Sequence, residues 1–280
     1  MISGEKIQEM CDYYIGKDRD FNYNPRIKVQ KEKFICIENF DIKTIQTLEI
    51  SKVFCYTHIL VFKLKSLKTI LNNIKTKFEL YFHNSDSNFE KENLSLLDIE
   101  NITKIYTQNI NVPITKKIMP LPIGIANSMW KHGNINIWNN VLIKKVEKSS
   151  NIYFNFNINT NKSKRNLCYN IIKSKNIPFV SNTNYENYLE ILGKYKFCIC
   201  PEGNGLDTHR FWECLYLKVI PICLKNKITE YYSTFFPIIL LDKWEDLDVN
   251  LLVDFYSNDK WNNYELLFLN NVKNILNIEI

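Results

Sequence analysis

Phe197-Cys198-Ile199-Cys200-Pro201-Glu202-Gly203-Asn204-Gly205-Leu206-Asp207-Thr208-His209-Arg210-Phe211-Trp212-Glu213 is the stretch that decides the fold of this 280-residue chain. Tyr195–Cys200, which leads into it, is a short apolar run ended by proline and reads as a buried strand. The chain then turns through Gly203 and Gly205. Thr208–Leu217 carries a helix pattern, with Asp207 or Thr208 suited to the N-cap, and Val219–Leu224 reads as a second strand. Strand, helix and strand in this order form a parallel crossover unit, whose sheet is buried by helices on both faces.

The alternation continues outward from this unit. Upstream, Lys33–Ile37, Lys52–Lys63, Phe78–Phe82 and Ile102–Thr107 read as strands. Ser66–Lys77 reads as a helix, with Leu67, Ile70, Leu71 and Ile74 on one face. Asn151–Phe156, Ile177–Val180 and Ile238–Leu241 are further strands, and Lys164–Lys175 and Asn184–Leu192 further helices. Between the halves, Met119–Trp130 is broken by Pro120, Pro122 and Gly124, as expected where a chain passes between domains. The pattern predicts an α/β protein of two Rossmann-like parallel-sheet domains. They are an N-terminal one over 1–130, reduced in size, and a C-terminal one over 131–260, followed by a helix over 261–280 that packs back on the N-terminal domain.

Bulk properties narrow the function classes. With 45% hydrophobic and 24% charged residues, the chain has the composition of a globular protein with a sizeable core. The net charge of +6 favours anionic ligands, yet the densest basic run, Asn161-Lys162-Ser163-Lys164-Arg165, is too short for a nucleic-acid footprint, so no nucleic-acid partner is expected. Most of the eight cysteines lie in apolar strings and read as small core residues. Cys198 and Cys200 occupy one strand face with no second pair at ligand spacing, so no metal is expected. No run reaches the roughly 18 apolar residues of a membrane span, and Met1–Met10 lacks the apolar core of a signal peptide. A soluble, reducing, cytoplasmic setting is the expectation.

The chemistry concentrates in the opening stretch. Two of seven glycines, with Asp207, His209, Arg210 and Glu213, fall within eleven residues. Glycines let backbone approach a ligand, and a helix start offers unpaired N–H groups and partial positive charge to an anion. His209, Arg210 and Glu213 share one helix face. Arg210 can grip phosphate oxygens as a fork, and Glu213, one turn deeper, can accept both hydroxyl protons of a ribose. Two readings stand side by side. One is a plain turn with Arg210–Glu213 as a surface i,i+3 pair; the other is a site for a phosphate-type ligand. Arg165, after the Asn151–Phe156 strand, is likewise either solvated or a second phosphate group.

In the order Pro201, Gly203, Arg210, Glu213 and Val219-Ile220-Pro221-Ile222, the segment resembles the donor-binding motif of exostosin-like glycosyltransferases of the GT-B fold. The resemblance covers roughly residues 50–245 and is specific at 197–222. It departs at Lys218, where a glycine usually closes the helix, and a non-glycine in that left-handed cap costs about 1 kcal/mol. What it implies is a GT-B-like pair of domains facing a cleft, with Pro122-Ile123-Gly124 along the crossing. It also implies a metal-independent, inverting transfer of a sugar from a nucleotide-diphosphate sugar to a glycan or other hydroxyl acceptor. No cofactor beyond the donor is implied. Arg210 and the turn (Glu202, Gly203, Asn204, Gly205, Asp207, Thr208 and His209) would hold the diphosphate, aided by Arg165, and Glu213 the ribose.

Transfer also needs a base for the acceptor hydroxyl. Asp86, in the polar turn His83-Asn84-Ser85-Asp86 after a strand, is the candidate, with His83 in reserve, though Asp86 equally suits a turn cap. His58 and His132 have no partner legible in the sequence. The alternative function is a non-catalytic nucleotide-sugar-binding protein or partner subunit. A dinucleotide oxidoreductase lacks its G-x-G-x-x-G signature here, and no Walker-type loop exists.

Overall fold

The computed structural model describes residues 1–23, 31–144, 146–181, 184–252, 255–256 and 261–268. They fall into two compact units, one built on Ile2–Ile123 and the other on Gly124–Lys273. The division lies inside the Met119–Trp130 segment, at Gly124, whose φ of 65° is in the region that favours glycine.

The N-terminal unit holds β1 (Tyr13–Gly16), β2 (Phe34–Cys36), β3 (Lys52–Tyr56), β4 (Phe78–His83), β5 (Ile102–Thr107) and β6 (Ile118–Pro120). They form one sheet in the order β2-β1-β3-β4-β5-β6, every pair parallel. Val53, Leu80 and Ile105 align across its centre and are fully buried, each contributing about 1.5–3 kcal/mol over an exposed side chain. The helix Leu64–Asn73 buries Leu67, Ile70 and Leu71, as its periodicity predicts. The chain leaves β1 for β2 on one side and reaches β3 on the other, so the strand order reverses between β1 and β3.

The C-terminal unit holds β7 (Ser150–Tyr153), β8 (Tyr195–Ile199), β9 (Ile220–Leu224) and β10 (Ile239–Leu241), again all parallel, in the order β10-β9-β8-β7. A mixed α/β architecture with two parallel sheets is therefore present. The N-terminal unit, Ile2–Ile123, spans fewer residues than the C-terminal one, Gly124–Lys273, yet among the described residues its sheet has six strands against four. β1 and β6 were not read from the sequence; β6 ends in Pro120, inside the Met119–Trp130 run taken as a passage between domains.

Three other expectations need correction. Lys52–Lys63 is not one strand. β3 ends at Tyr56, Thr57 takes a helical conformation, and His58–Phe62 is a helical turn that buries Ile59 and Leu60. Ile177–Val180 forms no strand; Val180 N–H bonds to Phe154 O (2.9 Å) beside the exit of β7, without a ladder. Of the expected C-terminal helix, Tyr264–Leu267 is a short 3-10 turn, and 269–280 lies outside the described residues.

Local chemistry sets the helix that follows β8. Helix His209–Tyr216 is capped by Thr208, whose side chain accepts from Phe211 N–H. At its far end Val219 N–H bonds to Cys214 O (2.8 Å) and Lys218 N–H to Leu215 O (3.1 Å), a Schellman closure with Lys218 left-handed at φ 52°. Lys148 Nζ ties this end to a neighbouring helix by donating to Leu217 O (2.8 Å) and Gly193 O (2.9 Å).

Burial pushes the Lys148 ammonium down to about 7, with the Lys218 charge adding to the effect. The unfolded chain holds that proton to the ordinary lysine range, so folding releases it between the two values and stability gains as pH rises through this window. Thermal melts of the wild type are expected to gain on those of Lys148→Met between about pH 7 and about pH 10. Parallel curves would show that Lys148 keeps its proton in the folded chain.

Candidate functional site

In open parallel sheets, ligands bind beyond the carboxyl ends of the strands. At the exit of β8, Cys200 N–H still bonds to Ile222 O (2.9 Å), and the chain then folds into a tight turn with Gly203 N–H on Gly205 O (3.2 Å). Neither glycine has positive φ, so close approach is what they supply: a Cβ on Gly203 would lie 3.3 Å from Arg165 Nη2 and 3.5 Å from Thr208 Cγ2. Asp207 is buried and accepts the Trp212 indole N–H on both oxygens (2.9 and 3.0 Å), fixing the turn to the helix core. Among the described residues no acceptor takes the backbone N–H groups of His209 and Arg210. They stand at the positive end of an eight-residue helix.

Two arginines flank this turn. Arg165, 9% exposed, comes from helix Lys162–Ser174 and donates through Nε to Glu202 O and through Nη1 to Asn157 O, both at 2.8 Å. It thereby links the segments that leave β7 and β8. Arg210 donates through Nη1 to Asn155 O (2.6 Å), and its guanidinium lies over the rings of Tyr188 (4.6 Å) and Tyr153 (5.6 Å). For each arginine, Nη2 makes no hydrogen bond among the described residues. Arg210 Nε, buried, also lacks a hydrogen bond, although Glu213 Oε2 stands 3.7 Å away. Burial first, and then the Arg210 charge, lower the pKa of Arg165. The two arginines flank one glycine turn and helix start, Arg210 being offset by Glu213 and Arg165, among the described residues, by no carboxylate, which is the electrostatic arrangement of an anion site.

Glu213 is 5% exposed, so the surface-pair reading of Arg210–Glu213 does not hold. Its Oε1 accepts from Tyr185 Oη–H (2.8 Å) and its Oε2 from Tyr188 Oη–H (2.5 Å). Burial, then the Glu213 charge, raises the Tyr185 phenol well above its ordinary value, so the proton stays on the donor. A carboxylate has about four lone-pair sites, and two remain after these bonds. His209 donates through Nδ1 to Gly124 O (2.8 Å), which leaves Nε2 as an acceptor. Its ring meets His132 edge-on (6.4 Å), and His132 in turn contacts Tyr185 (5.9 Å) and stacks with exposed Trp130 (6.1 Å). Burial, followed by the His209 ring, lowers the His132 pKa.

The remaining expected site residues divide. Gly203 and Gly205 are buried and Asn204 is exposed within the turn. Glu202 is committed elsewhere, its carboxylate pairing with Lys164 and accepting from Asn226 Nδ2 (3.2 Å). Asp207 and Thr208 shape the turn, as above. Asp86 is exposed in the turn after β4. His83 is a correction: it is 1% exposed, Nδ1 accepts Asn84 N–H (2.7 Å), and Nε2 donates to Pro122 O (3.0 Å). With both ring nitrogens engaged and sealed, His83 anchors a loop and has no lone pair for a substrate. Asn155, His132, Tyr185 and Tyr188 join the site without having been picked from the sequence. Asn184 caps the helix that carries Tyr185 and Tyr188, its side chain accepting from Asn187 N–H.

Among the described residues, Cys198, Cys200 and Cys214 are the group able to hold a metal, with sulfur atoms within 4.8 Å of one another. Burial raises all three thiols, which favours protonated core residues over thiolate ligands. No known family model matches this chain, and comparison with curated proteins finds no relative.

Proposed function

We propose that the C-terminal unit binds a nucleoside diphosphate and that the chain is a glycosyltransferase using a nucleotide-diphosphate sugar as donor. The observation that carries the reading is the pair of arginines, Arg165 buried and Arg210 partly exposed, beside the helix start. Among the described residues each has an Nη2 without a hydrogen-bond partner, and Glu213 lies one turn deeper on the same helix as Arg210. The diphosphate would take Nη2 of Arg165 and Arg210 and the N–H groups of His209 and Arg210. Each charge-assisted bond contributes about 1.5–3 kcal/mol. The ribose would use the remaining lone pairs of Glu213, whose orientation Tyr185 and Tyr188 fix. The Trp130–His132 stack offers an aromatic surface on the His209 side.

In the reaction, these fixed cations and N–H groups stabilise the charge that gathers on the departing diphosphate. Arginines and backbone supply this stabilisation without a metal ion. The acceptor is a glycan or another hydroxyl compound.

The experiment is a thermal-shift panel of UDP, GDP, ADP and TDP and their common sugar conjugates, followed by assay of sugar release. One nucleotide class is expected to raise Tm, by an amount equivalent to about 2.7 kcal/mol at a hundredfold excess over Kd. Release of sugar from the stabilising donor is expected as well. Indifference to every nucleotide would defeat the proposal; stabilisation without sugar release would reduce the protein to a nucleotide-sugar binder.

A further inference from the structure

Lys148 stands apart from the anion site. It comes just before β7, and its amine reaches the closing carbonyls of two helices, Gly193 O and Leu217 O. Gly193 and Leu217 lie just before β8 and β9, so the amine sits at the amino ends of three neighbouring strands, the opposite edge of the sheet from the glycine turn. There the described residues form a groove of about 590 Å³, whose wall includes Lys144, Lys148, Lys196, Lys218, Tyr256 and Tyr264. Small-molecule sites have volumes of about 300–1,000 Å³. We propose that this groove is a second ligand site, in which the Lys148 amine condenses with a phosphorylated aldehyde or ketone to form an imine. The site lies wholly within the C-terminal unit and is independent of the glycosyltransferase reading.

The geometry leaves one electron pair for chemistry. A neutral lysine amine has two N–H bonds and one lone pair. Lys148 Nζ donates to Gly193 O (2.9 Å) and Leu217 O (2.8 Å) and has no third partner among the described residues, so the lone pair is what remains for a ligand. The same two bonds hold Nζ in place in the groove wall. Burial and the Lys218 charge, which bring this amine down to about 7, favour the neutral form. A desolvated lysine beside a second cation is an activated nucleophile. The other lysines set the charge of the ligand. Lys144 is committed to Glu190, whereas Lys196 and Lys218 have no carboxylate partner among the described residues. Two unpaired ammonium groups match the charge of a phosphate. Tyr256 and Tyr264 spend their hydroxyls on the carbonyls of Lys218 (3.3 Å) and Tyr216 (2.7 Å), which leaves their rings as the apolar part of the wall.

The condensation balances without a further reactant. The Nζ lone pair bonds to the carbonyl carbon, and one C=O electron pair moves onto oxygen. Both amine hydrogens then leave with that oxygen as water, and the carbon–nitrogen bond becomes double. A proton taken up by the imine restores one N–H, which can again donate to Gly193 O or Leu217 O. Nothing is oxidised or reduced.

The test uses the full chain and pyridoxal 5′-phosphate as probe. One equivalent is added at pH 7, the imine is fixed with cyanoborohydride, and the label is mapped by peptide mass spectrometry. Lys148 is expected to carry about tenfold more label than the average lysine, and its share should fall as pH rises to about 10, where ordinary lysines lose their protons. Pyridoxal, which lacks the phosphate, should give Lys148 a severalfold smaller share. Shares are compared within each reaction, so the different reactivities of the two aldehydes cancel. Lys218→Gln should lower the Lys148 share with pyridoxal 5′-phosphate, because it removes both a phosphate partner and the charge that keeps the amine neutral. Lys148→Arg, which can still donate to both carbonyls, should lose most of the uptake seen at pH 7. A label spread evenly over the lysines at pH 7 would overturn the reactive amine. An equal Lys148 share for pyridoxal and its phosphate would overturn the phosphorylated class of ligand.

Discussion

Glu213→Ala is expected to weaken nucleotide binding by at least tenfold and, separately, to destabilise the free protein. The two effects have different causes. The ligand loses hydroxyl bonds to a carboxylate, each worth about 1.5–3 kcal/mol. The free protein loses the acceptor of two buried phenols, since Tyr185 and Tyr188 both donate to Glu213. Each stranded buried donor costs about 1–3 kcal/mol. Glu213→Gln separates the effects, because an amide fills the same volume and can still bond to both hydroxyls, one of them turning to accept. Calorimetric titration of UDP or GDP into both variants, beside their melts without ligand, checks this. The expected pattern is weak binding in both, with the larger drop in Tm confined to Glu213→Ala. Wild-type affinity in Glu213→Gln would remove the ribose role.

The second large effect concerns the arginine pair. Inorganic pyrophosphate alone is expected to raise the Tm of the wild type, because it joins two cations that otherwise repel each other. Arg210→Met removes one fork and should weaken pyrophosphate binding about 10- to 100-fold, the equivalent of one charge-assisted bond. Arg165→Met should weaken it comparably and also lower stability without ligand, since Arg165 holds the carbonyls of Asn157 and Glu202 together across the two strand exits. The stabilisation should shrink as salt rises, more so if the site is open to solvent. Equal pyrophosphate protection of wild type and both variants would place the anion elsewhere.

Much of the scaffold was legible in the sequence because it is written in local patterns. β5 appears at its expected bounds, and β4 and the helices from Ser66, Lys164, Asn184 and Thr208 lie within a few residues of theirs. Thr208 caps its helix as its residue type suggests, and Lys218 takes the left-handed closure without glycine, held by the two bonds of the Schellman turn. β6 failed to show because Pro120 marked its segment as a passage between domains, and Lys52–Lys63 misled because a helical turn that buries two neighbours looks, in sequence, like a longer strand.

The chemistry divided in the same way. Arg210 and Glu213 were legible because three residues on a helix always share a face. Their tyrosine partners were not: Tyr185 comes 28 residues earlier, on another helix, and meets Glu213 only because the crossover packs those helices together. His83 looked available from its strand-end position, yet Pro122 O, 39 residues away, closes its second nitrogen. His58 looked solitary, and the return of the chain from β2 to β3 across β1 is what brings it to Asp20.

By itself, then, the sequence determined the alternation of strands and helices, the parallel sheets, and the cationic turn with its helix start, because periodicity, caps and turns act over a few residues. Tertiary structure alone decided which polar groups are paired and which keep a reachable lone pair or N–H. That depends on strand order and on side chains far apart in the chain, and no local pattern encodes either.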